Sequence, residues 1–154
     1  MGLFDKFFTE KTEATTASYV PQDEAEACLA ILYILSSVDG VSSVQEAENL
    51  LGNLTIKRRF FGVQWHDTMK RVVAARGETD QVDMLDAACL AISGDFKPTI
   101  FALAADLILI DDEIDAGEEK LLAHISRQLS LEDDVAQKIV DVMVLKNFDN
   151  MKLE

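Results

Sequence analysis

Proline, glycine and cysteine are all scarce in this chain of 154 residues, at two, seven and two respectively. So few turn formers disfavour an all-β fold, and a hydrophobic share of 49% disfavours disorder. Two cysteines without paired spacing build neither a CxxC redox centre nor a zinc site. Cys28 and Cys89 stand in Ala27-Cys28-Leu29 and Ala88-Cys89-Leu90, where a thiol packs as a small hydrophobe. Long apolar runs are missing too. The longest, Phe101 to Ile110, is interrupted by Asp106 and is half the roughly 20 residues that span a bilayer. The opening residues Met1 to Phe8 lack the apolar region and cleavage site of a secretory signal, and Lys6 stands where a myristoylation pattern needs Ser or Thr. The expectation is a cytoplasmic protein, with peripheral contact at the inner face of the membrane left open.

Positive charge is the last shortage. Lys and Arg number 14 against 28 Asp and Glu, and the net charge of −14 would repel a phosphate backbone, which argues against nucleic acid as a partner. The distribution is uneven. From Thr55 to Gly77 six basic residues, Lys57, Arg58, Arg59, Lys70, Arg71 and Arg76, face the single acid Asp67. From Asp106 to Glu154 thirteen acids face five bases.

What remains is helical pattern. Residues 1–20 read as an aromatic segment followed by a polar linker, 21–147 as one helical domain and 148–154 as a tail. Pro21 suits the first turn of an apolar helix that stops at Asp39-Gly40. Ser43-Val44-Gln45-Glu46 is a capping box that opens a second helix, which ends near Phe60-Phe61-Gly62. Further helices are expected from Gln64 to Ala75, ended by Gly77; from Thr79 or Asp80 to Ser93; from near Pro98 to Ile110; from Asp115-Ala116-Gly117-Glu118 to about Leu129; and from Ser130 to about Lys146. The expected fold is all-α, a single domain of seven helices.

Shifting the chain by 72 positions lays Asp39 on Asp111, Glu46 on Glu118 and Leu50 on Leu122. Each copy is an apolar helix, an acidic turn and a capped helix. The stretches Val38 to Glu46 and Ile110 to Glu118, each followed by a leucine, resemble the helical hairpins of the TerB tellurite-resistance family. Asp112 stands where that family often has glycine. The resemblance implies an all-α domain built on two hairpins related by a pseudo-twofold, and a role in tellurite or chemical-stress response at the membrane, alongside other proteins of a stress-response complex.

With the hairpins so paired, Asp39, Glu46, Asp111 and Glu118 form an all-oxygen cluster suited to a divalent cation such as Ca²⁺, Mg²⁺ or Mn²⁺, with Asp112 and Asp115 adding oxygens. The plainer reading is that the glutamates close capping boxes and the aspartates cap turns. An EF-hand is rejected, because counting from Asp111 puts Ala116 at the glycine position and Leu122 at the bidentate acid. Neither His66 nor His124 follows a glutamate by three residues, so a di-iron bundle is disfavoured. His124 fits a partly buried structural place, and His66 beside Trp65 a surface or interface pair. No phosphate loop, GxSxG elbow or HExxH is present, and the expectation is a protein that is not an enzyme. The alternative function is a metal-independent interaction module. It would use the basic 57–76 region and the amino-terminal Leu3, Phe4, Phe7 and Phe8, whose spacing makes one apolar helix face.

Overall fold

A computed structural model describes residues 18–36, 44–109 and 114–150, without the side chains of 44–48 and 50. It is all-helical over those residues. The order is α1 (Glu24–Ser36), α2 (Val44–Thr55), a 3-10 turn (Arg58–Phe60), α3 (Trp65–Glu78), α4 (Gln81–Leu90), α5 (Lys97–Ile108), α6 (Ala116–Gln128) and α7 (Asp133–Lys146). The Phe-rich amino-terminal segment lies outside the described residues. Among the described residues no helix is long and apolar enough to cross a membrane.

α1 is the axis of the fold. From Ala25 to Leu35 every side chain but Tyr33 is buried. Such an all-round apolar helix is stable only when other elements cover it on several sides. α2, α3, α4 and α5 all pack against it. α5 in turn carries α6 and α7, and α4 bridges α1 to α6. Cys28 and Cys89 are both fully buried in the shared core. Desolvation pushes the Cys89 thiol up to about 12 and the Cys28 thiol higher still. Both therefore behave as small hydrophobes rather than reactive thiols.

Local chemistry sets the helix ends, with differences from the pattern reading. Asp23, not the region of Pro21, caps α1, its carboxylate accepting the Glu26 amide at 2.8 Å. α4 opens on Asp80, whose side chain accepts from Val82 and Asp83. α2 stops at Thr55, and the segment ending in Phe60-Phe61-Gly62 is a separate 3-10 turn. Gly77 does not end α3, which continues to Glu78. α7 begins at Asp133 rather than Ser130 because Ser130 closes α6. It adopts a left-handed φ of 56°, and the amides of Ser130 and Leu131 return to the carbonyls of Arg127 and Ser126.

α3 and α7 stand 68 positions apart, and the 72-residue shift matches only the first two helices of each half. It lays the last residue of α1, Ser36, on the last of α5, Ile108, and the first of α2, Val44, on the first of α6, Ala116. The packing repeats as well, since α1 carries α2 and α3 as α5 carries α6 and α7.

The carboxy-terminal end of α7 is tied to α5 by Lys146, which pairs with Asp106, and by the amide of Asn147. Buried Asn147 donates from Nδ2 to the Leu109 carbonyl at 2.6 Å and to Asp106 at 2.9 Å. Replacing it with leucine strands a buried carbonyl, which costs about 1–3 kcal/mol. Urea denaturation of Asn147→Leu is expected to show a loss in that range. A stability equal to that of the parent protein would mean that water or a neighbour replaces the bond.

Candidate binding site between α5, α6 and α7

Of the six acids singled out by the duplicated pattern, Asp39, Asp111 and Asp112 lie outside the described residues. Glu46 lies in the first turn of α2 with its side chain undescribed. The remaining two meet each other. Asp115 accepts the Glu118 amide at 2.7 Å, while the Asp115 amide donates to the Glu118 carboxylate at 3.1 Å, a reciprocal capping box at the start of α6. The bonds satisfy two otherwise orphan amides and place a carboxylate at the positive end of the helix. This is the plainer of the two sequence readings for this pair. Among the described residues no three His, Cys, Asp or Glu side chains form a group able to hold a metal. His124 is partly buried as expected, its Nε2 lying 2.6 Å from Asp86, so that it ties α6 to α4. His66 is exposed.

Half of the basic residues in 57–76 bond within the fold. The Arg59 guanidinium donates to Glu24 at 2.7 Å, to Ser93 Oγ at 3.0 Å and to Asp95, and lies 4.4 Å from the centre of the Phe96 ring. It thereby joins the 3-10 turn to α1 and to the turn before α5. Arg71 Nε donates to Glu26 at 2.6 Å, and Tyr19 donates to the other Glu26 oxygen at 2.7 Å. Glu26 is only 3% exposed, and a carboxylate so deep in an apolar helix requires such partners. Burial, reinforced by the bond to Glu26, holds the Tyr19 phenol well above its ordinary range. Arg76 donates to the Gln81 side chain and the Thr79 carbonyl. Lys57, Arg58 and Lys70 make no ion pair among the described residues. The patch read from sequence is thus about half consumed by the fold.

A concave feature among the described residues lies elsewhere. A cleft of about 590 Å³ opens between α5, α6 and α7, a volume typical of ligand and segment sites. Phe101, Leu122 and Ala136 are buried along it, and Ile114 and Val140 extend the apolar wall. Glu119, Arg127, Asp133 and Gln137 also line it.

The repeat explains why it is open. Under the 72-residue shift Ala123 takes the place of Leu51, and Ser126 that of Leu54, a residue with no exposed surface. Counted from the first residue of each helix, Ala136 of α7 takes the place of buried Thr68 in α3, and Gln137 that of Met69. The connectors differ as well. Residues 56–64 between α2 and α3 turn Phe60 into the core, edge-on to Trp65 and Phe96 with ring centres 5.8 and 5.5 Å away. The connector 129–132 between α6 and α7 has no aromatic residue. Smaller side chains and a shorter connector leave the second half unfilled. The signal is present in the sequence, as Leu51/Ala123 and Leu54/Ser126, but it acquires meaning only once both positions are known to face a neighbouring helix.

Comparison with protein-family models, curated proteins and solved structures gave no match to this chain.

The Arg59 cluster yields a test of charge. Partial burial opposes ionisation of Glu24, but bonds from Ser93 and Arg59 outweigh it and hold this carboxylate below its ordinary value of 4.5. Asp95 is lowered by its bonds to Ser93 and Arg59. Carboxylates lowered in the folded state add stability that is fully present above their unfolded values and fades as the pH falls through the folded ones. Arg59→Met is therefore expected to be less stable than the parent protein at neutral pH. Below about pH 4 the deficit should narrow toward the pH-independent part due to the Phe96 contact. Urea titrations at both pH values check this, and a deficit independent of pH would show that Arg59 acts through packing alone.

Proposed function

We propose that this protein is a non-catalytic helical adaptor that takes a segment of a partner protein in the cleft between α5, α6 and α7. The cleft carries this reading, because its buried Phe101, Leu122 and Ala136 beside charged Glu119, Arg127 and Asp133 suit an apolar face framed by polar residues. On this reading the chain is a TerB-like domain of tellurite and chemical-stress systems, whose α1–α2 and α5–α6 hairpins a pseudo-twofold would relate. Its place of action is then the cytoplasm, at membrane-associated stress-response complexes. A photo-crosslinking amino acid at Gln137 of the full chain is expected to capture a discrete partner in host cells. Chelator should not prevent capture, and Ala123→Trp, which narrows the cleft, should abolish it. Capture that survives Ala123→Trp would move the interface away from the cleft.

A second reading is favoured by the repeat in helix bounds. Asp39 and Asp111 each follow the first helix of a half in sequence, and those first helices, α1 and α5, pack together. In that arrangement Asp39, Asp111 and Asp112, with Glu46, supply carboxylate oxygens to Ca²⁺, Mg²⁺ or Mn²⁺. Asp115 and Glu118 brace the second connector through their capping box instead of ligating. Calorimetric titration is expected to show saturable binding of one of these ions, lost in the double variant Asp39→Asn/Asp111→Asn. Absence of heat at millimolar metal would sink the site and leave the adaptor reading intact.

A further inference from the structure

We infer that the occupant of the cleft is an aromatic-anchored, basic amphipathic helix of a partner protein. The inference rests on the adaptor reading and adds to it the partner's shape, anchor and charge.

The shape follows from the walls. The α6 wall runs from Glu119 to Arg127 and the α7 wall from Asp133 to Val140. At 1.5 Å per residue these walls are about 12 and 10 Å long, the span of helix anchors at i, i+4 and i+7. A groove between two helices with an apolar floor is a common receptor for a third.

The anchor follows from the first half of the chain. There the α2–α3 connector delivers Phe60 into the core, where it is 4% exposed. The α6–α7 connector delivers Leu129 but no ring, and Ala123, Ser126 and Ala136 line the space beside Phe101. An aromatic side chain supplied in trans would meet Phe101 in the edge-on manner in which Phe60 meets Trp65 and Phe96.

The charge follows from the rim. Glu119 and Asp133 line the cleft against one cation, Arg127. Glu132 and Asp134 flank the same end of α7 and are exposed. Between residues 114 and 150 eight acids face four bases. This field speeds the approach of a basic partner and repels an acidic one.

The test uses three labelled sixteen-residue peptides and fluorescence anisotropy with the full chain. The first carries Phe and Leu at i, i+4 and i+7 among lysines, the second replaces the lysines by glutamates, and the third replaces the Phe anchor by Ala. The first peptide is expected to bind saturably, at least about tenfold more tightly than either other peptide. Ala123→Trp should weaken it by about tenfold, and Glu119→Lys/Asp133→Lys by a similar factor, with salt dependence reduced only in the charge variant. Should Ala123→Trp fail to fold, the neutral Gln137→Trp at the solvent-facing edge replaces it. Equal binding of the lysine and glutamate peptides, or binding unchanged by both cleft variants, would overturn the inference. So would attachment to anionic phosphatidylserine vesicles that competes with the lysine peptide and persists in the cleft variants. If the Gln137 crosslinker captures a partner through an acidic or non-helical segment, this inference falls while the adaptor reading stands. If it captures nothing at the cleft, both fall.

Discussion

The structure depends on enclosing one helix. α1 has almost no polar face to turn to water, and each Leu or Ile it buries contributes about 1.5–3 kcal/mol only if neighbours exclude solvent around it. Four other helices supply that cover. The same enclosure explains the two polar clusters at its start. Glu24 and Glu26 stand in the first turn, where the helix dipole favours negative charge, yet Glu26 is drawn inside with the rest of the helix. A buried carboxylate must be satisfied, so Arg71 and Tyr19 come to it from either side in sequence. Arg59 does the same for Glu24 at a more exposed level.

These bonds change what the charge map means. The chain is strongly acidic, and its one basic stretch looks from composition like a patch for an acidic partner. In the fold Arg59 and Arg71 neutralise acids of α1, and Arg76 holds the α3–α4 turn. Half of the cations of this stretch therefore serve the fold, and fewer are left to face a partner than the composition suggests. A partner selected by this field would be basic.

The two halves match at the junctions α1–α2 and α5–α6 and in packing order but differ in the side chains that follow. In the first, Leu54 of α2, Thr68 of α3 and the inward Phe60 are buried between helices. In the second, alanines, a serine and a short connector leave a cleft. Large-to-small changes inside a packed unit ordinarily lower stability, because the space left behind collapses only in part. The gap beside the buried Phe101 ring is the feature on which the proposed binding role rests.

Local features were legible from the residues alone. The seven helices, the burial of both cysteines, the capping box of Asp115 and Glu118 and the half-buried place of His124 depend on apolar period and on bonds within one or two turns, which near neighbours determine. Errors of a few residues arose where a distant or unusual conformation decided the end, as with the left-handed Ser130 that moves the start of α7 to Asp133. Two properties belonged to the tertiary structure. Whether Arg59 and Arg71 are a surface patch or internal struts depends on acids 35 and 45 residues away. Whether Ala123 and Ser126 line a cleft depends on how α6 and α7 are carried on α5. Period and capping act through the chain's own neighbours, whereas charge pairing and empty space are set by segments that only the fold brings together.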